Sequence, residues 1–123
     1  MDKKVMIVED EKDILQLLKI LLEKEGYRVI EAPNGKIAYE KLTDPSNPEK
    51  PDLIILDVMM PEMDGYTFET KILESEELSN IPVIVLTAKT QVRELFELSK
   101  NVKAFIEKPF DTKKLLNLIK QYI

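Results

Sequence analysis

Five side chains in this sequence could do chemistry together: Glu9, Asp10, Asp57, Thr87 and Lys108. Each stands at or just past the end of a short apolar run. Asp57 closes the stretch Leu-Ile-Ile-Leu and is followed at once by turn-forming residues, Pro61 and Met63-Asp64-Gly65. Three carboxylates brought close repel one another, and ionising all of them is costly unless a cation neutralises them. A hard divalent ion with oxygen ligands, Mg²⁺ first among them, answers that need. Beside such an ion one carboxylate can act as a nucleophile towards a phosphoryl group. The Lys108 ammonium then offers a charge-assisted bond to a phosphoryl oxygen, and the Thr87 hydroxyl offers another. This chemistry needs no histidine, and the chain has none.

The elements that must position these residues are legible from periodicity. Apolar runs with strand character lie at 5–8, 29–32, 53–56, 81–86 and 104–106, and several are apolar throughout. Continuous runs suit strands buried on both faces, as in a parallel sheet covered by helices. Helical spacing occupies 14–25, 36–42, 67–74, 92–99 and 112–122. Five alternations of strand and helix predict an α/β three-layer fold with right-handed crossovers. Gly26 reads as a helix C-cap, Asn34-Gly35 as a turn, and Asp111 as the N-cap of the last helix. The proline-rich segment 43–51 reads as a surface loop, long for such a connection. In an open α/β sheet ligands bind beyond the carboxyl ends of the strands, which is where all five candidate side chains fall.

Composition narrows the function. With 123 residues, 44% hydrophobic and 33% charged, the chain has the make-up of one globular domain spanning 1–123. No cysteine is present, so disulfides and thiolate metal sites are excluded. A net charge of −5 argues against nonspecific nucleic-acid binding, which needs basic patches. The apolar run near the N-terminus is too short for a signal peptide, and no stretch approaches a membrane span. A cytoplasmic location is expected.

The segments "VED" (8–10), "LDVMMPEMDG" (56–65), "PVIVLTA" (82–88) and "FIEKPF" (105–110) together resemble the receiver domains of two-component response regulators, over essentially the whole chain. The resemblance implies a flavodoxin-like, doubly wound, five-stranded parallel sheet of order 2-1-3-4-5 flanked by five helices. It implies that Asp57 is the phosphoacceptor. It implies that Mg²⁺ is bound by Asp10, Asp57 and the Met59 backbone carbonyl, with Glu9 acting through a metal-bound water. Thr87 and Phe105 would form a switch pair, Lys108 would hold the phosphoryl group, and the Lys108–Pro109 bond would be cis. Met59 and Lys89 occupy positions whose side chains tune hydrolysis. The implied partners are a sensor histidine kinase and a downstream protein or phosphotransfer protein, with no direct role for nucleic acid or membrane. The chain would be a monomer unless phosphorylated or bound to its kinase, and no output domain is expected.

Three features depart from the usual pattern. The spacing from Thr87 to Lys108 is one residue short, Asn101 stands where glycine usually ends the fourth helix, and the 43–51 loop is extended. Taken singly, the candidate residues also have plainer readings: Glu9 and Asp10 as a solvated acid pair, Asp57 as a cap, Thr87 as a strand end, Lys108 as a surface lysine. Their joint placement favours the site. The first helix carries a stripe wider than packing on a sheet requires, with Leu15 and Ile20 at its edges. Those edges are either covered by neighbouring elements or form a docking surface for the kinase. Two rivals complete the field. One is a haloacid-dehalogenase-type phosphotransferase, which wants an acid where Met59 stands and a cap for which the length leaves no room. The other is a receiver that is never phosphorylated and acts as a constitutive scaffold.

Overall fold

The structure, a computed structural model, describes residues 2–57, 65–87 and 99–123, with the side chains of residues 65, 66 and 87 outside that description. Five parallel strands form one sheet: β1 (Lys4–Val8), β2 (Arg28–Ala32), β3 (Leu53–Asp57), β4 (Val83–Thr87) and β5 (Val102–Glu107). Their spatial order is β2-β1-β3-β4-β5. Four helices are described: α1 (Lys12–Lys24), α2 (Gly35–Thr43), α3 (Gly65–Leu73) and α4 (Thr112–Tyr122), with a short 3₁₀ turn at Leu78–Asn80. The count is four rather than the expected five. The predicted helix at 92–99 falls almost wholly on residues 88–98, outside the described residues, and Ser99 is not helical.

Alternation along the strands builds two cores. Met6, Val8, Ile54, Leu56, Val83 and Val85 face α2 and α3, meeting Ala38, Leu42, Phe68 and Ile72. Val5, Ile7, Leu53, Ile55, Ile84 and Leu86 face the other way, meeting Leu18 and Leu22 of α1 and Leu115 and Ile119 of α4. The central strand β3 is buried along its entire length, which explains its unbroken apolar run. Each such side chain contributes about 1.5–3 kcal/mol on burial, so β3 is a firmly anchored route to the site.

Local chemistry sets the element ends. Gly26 has φ +94 and its N–H donates to the Glu23 carbonyl, while the Tyr27 N–H donates to the Leu22 carbonyl, closing α1 as expected. Asp111 caps α4, accepting from the N–H groups of Lys113 and Lys114. Asn34 does more than turn the chain: its side chain accepts from the Ile37 N–H at 2.9 Å, and Gly35 is already helical. The long loop is pinned at both ends. Asp44 accepts from the Ser46 N–H at 2.8 Å, and the Asp52 N–H donates to the Lys4 carbonyl at 2.7 Å.

Candidate functional site

The strand order brings the carboxyl ends of β1 and β3 side by side, with Val8 opposite Leu56. One further ladder bond, from the Glu9 N–H to the Ala32 carbonyl at 3.0 Å, fixes Glu9 just past β1. Glu9 and Asp57 are buried, and Asp10 is half-buried. One carboxylate oxygen from each of the three lies within 4.8 Å of the others. Lys108, at the end of β5, reaches both buried acids: its Nζ is 3.2 Å from Asp57 Oδ2 and 3.5 Å from Glu9 Oε1. The Lys108–Pro109 peptide is cis, the form the family resemblance implies.

The electrostatics follow from this crowding. Burial, and then the nearby Asp57 carboxylate, push the Glu9 pKa up to about 8; the Glu11 N–H, which donates to Glu9 Oε2 at 3.1 Å, and the Lys108 ammonium oppose the rise. Burial on its own lowers the Lys108 pKa, but Asp57 and Glu9 together outweigh it, so the ammonium is held above its ordinary value. Among the described residues one ammonium contacts both buried acids, and burial beside Asp57 favours the protonated form of Glu9. An all-oxygen set this compact fits a hard divalent cation of the Mg²⁺ type.

The remaining candidates divide. Thr87 ends β4 opposite Glu107 of β5, so its backbone stands on the same rim; its side chain is outside the description. Phe105 is half-buried on β5 and packs against the core beneath α2 and α3. Met59 and Lys89 lie outside the described residues. On α1, Leu15 is half-buried against the core shared with α4, whereas Ile20 is 54% exposed. Leu17, also part of the apolar stripe, is 46% exposed and joins Ile20 on the outer face. Sequence reasoning also missed that Lys108 binds both acids. The strand order puts β5 at the edge of the sheet beyond β4, so the Lys108 side chain has to reach past the end of β4 to meet the acids at the ends of β3 and β1.

The profile of the response regulator receiver domain matches residues 5–120. The chain belongs to the response regulator receiver family. It is 38% identical over 116 residues to the alkaline phosphatase synthesis transcriptional regulatory protein PhoP of Bacillus subtilis, covering 94% of this chain and 46% of that protein. Among solved structures it is similar to the chemotaxis protein CheY4 of Vibrio cholerae, with TM-score 0.89, 26% identity and full coverage of both chains. It is also similar to the response regulator TrrA of Thermotoga maritima, solved in complex with Mg²⁺ and BeF, with TM-score 0.83, 30% identity, and 98% and 99% of the two chains covered. This receiver chain spans less than half the length of the curated relatives it matches. No described helix is long and apolar enough to cross a membrane.

Proposed function

We propose that this receiver accepts a phosphoryl group from the phosphohistidine of a sensor kinase onto Asp57 and thereby switches a partner-binding face. The observation that carries this reading is the Asp57–Lys108 pair at 3.2 Å, set beside Glu9 and Asp10 at the carboxyl ends of the strands. An Asp57 oxygen attacks phosphorus as the phosphoryl group leaves its donor nitrogen. The Lys108 ammonium, charged at neutral pH, stands where it can move from the carboxylate to the incoming phosphoryl oxygens. Thr87 and Phe105, on the neighbouring strands β4 and β5, act as the residues through which the new charge is felt. Asp10, Asp57 and the Met59 carbonyl would hold Mg²⁺, with Glu9 acting through a metal-bound water, and the ion would supply positive charge that offsets the crowded oxygens. The result is a population shift between two states of the receiver.

The exposed face of α1, with Leu15 at its margin and Ile20 at its crest, serves as the dock for the kinase helices. Ile20→Glu is expected to slow transfer from the kinase while leaving transfer from a small acyl phosphate unchanged; equal loss with both donors argues against docking there. Met59 is apolar and cannot orient an attacking water by hydrogen bonding, and Lys89 is its companion in tuning hydrolysis. The acyl phosphate is therefore expected to outlast seconds in purified protein, and decay within seconds counts against that role. The chain acts in the cytoplasm, as a phosphoacceptor rather than a turnover enzyme, and as a monomer before phosphorylation.

The experiment is intact mass after incubation with Mg²⁺ and a small acyl-phosphate donor. Addition of one phosphoryl group to the wild type, but not to Asp57→Asn or to the metal-free sample, supports the proposal. No addition under any condition returns the chain to a constitutive scaffold.

A further inference from the structure

A third buried acid lies away from the phosphoacceptor rim. Glu69 on α3 is 1% exposed, and Asn101, in the turn that enters β5, is 2% exposed. The Asn101 amide donates to Glu69 Oε1 at 3.4 Å and to the Ile81 carbonyl at 3.1 Å. The Ile81 carbonyl can only accept, so it fixes which way the carboxamide points. Two buried side-chain oxygens lack a hydrogen-bond partner among the described residues, and they belong to this same pair: Glu69 Oε2 and Asn101 Oδ1.

Buried polar atoms are ordinarily satisfied, and two acceptors left on one contacting pair call for a shared donor. One proton supplies it. A carboxylic acid and a carboxamide are complementary: the acid O–H donates to the amide oxygen while the amide N–H donates to the acid carbonyl. We propose that Glu69 and Asn101 form such an acid–amide pair, a proton-operated latch joining α3 to the turn that leads into β5. Closing it places a proton on Glu69 Oε2, bonded to Asn101 Oδ1, beside the existing bond from Nδ2 to Oε1. Opening it releases that proton to solvent and leaves two acceptors facing each other.

The surroundings favour the neutral acid. Burial raises the Glu69 pKa to about 7, against hydrogen bonds from Ser99 and Asn101 that pull it down, and no charged side chain among the described residues contributes. On α3 itself, Lys71 lies over the Tyr39 ring of α2 at 5.4 Å. From the turn, Lys100 is exposed, and the exposed Lys103 donates to the Lys100 carbonyl at 3.1 Å. From α2, Lys36 and Glu40 are exposed and the Lys41 ammonium donates to the Glu31 carbonyl.

Carbon-detected NMR on the full wild-type chain tests the latch without any variant. The Glu69 carboxyl carbon is expected to titrate with a midpoint near 7, and the Asn101 carboxamide resonances to move with the same midpoint. A Glu69 midpoint below about 6, or an Asn101 amide indifferent to it, overturns the proposal. Glu69→Gln supplies the second arm, because a glutamine mimics the closed, protonated pair. Between pH 6 and pH 9 the folding equilibrium of the wild type should weaken about tenfold relative to this variant, from a Glu69 pKa that moves from 4.5 unfolded to about 7 folded. Glu9 titrates in both proteins and cancels. A ratio constant across that range contradicts the latch.

Discussion

At the scale of single residues, the site is a problem in charge. Lys108 is the cation that both Glu9 and Asp57 contact, at 3.5 and 3.2 Å. Lys108→Met should therefore destabilise the metal-free protein by roughly 1–3 kcal/mol, below the full cost of breaking a buried pair because the lysine is partly solvated. Mg²⁺ should restore most of that loss, which paired urea titrations will show; a loss untouched by Mg²⁺ contradicts a shared cation site. The raised Glu9 pKa gives a second expectation. The folded state holds its proton up to about pH 8, while the unfolded chain releases it near 4.5. Between those values the folded state binds more protons, so stability falls as pH rises through the window. Saturating Mg²⁺, which favours the ionised form, should flatten that fall. Urea midpoints of the metal-free protein that rise from pH 6 to pH 8 would be the wrong sign.

At the scale of elements, the rim is only as fixed as the strands and caps behind it. Asp111 bonds two N–H groups at the start of α4, the helix whose Leu115 and Ile119 cover the α1 side of the sheet. Asp111→Ala should lower stability by about 1 kcal/mol, read as a shift of the thermal midpoint without loss of phosphorylation. Ile55→Ala in fully buried β3 should cost about 2–5 kcal/mol and loosen the approach to Asp57. Much of this was legible in the sequence, because a strand buried on both faces leaves an unbroken apolar run and a cap leaves a polar residue at a fixed offset. The acids were legible because each ends such a run. What periodicity could not convey was contact between distant segments. That Lys108 reaches Glu9 as well as Asp57, and that Asn101 turns inward to Glu69 rather than serving only as a cap residue, depends on side chains crossing between segments that are not neighbours in the sheet. The helical stripe on α1 likewise could not say that Leu15 is partly covered while Leu17 and Ile20 remain outside.

At the scale of the whole molecule, two apolar layers clamp one sheet, and the buried polar side chains among the described residues lie at its rim and in the Glu69–Asn101 pair. Phe105 on β5 packs against the core under α2 and α3. The most direct test of the account is to locate the phosphoryl group. Wild-type protein phosphorylated with a small acyl phosphate is reduced with borohydride, which converts an aspartyl phosphate to homoserine, and the digest is read by tandem mass spectrometry. Homoserine is expected at position 57 and an unreduced aspartate at position 10. Homoserine at position 10, or a label that resists reduction and maps to a hydroxyl such as Thr87, contradicts the account.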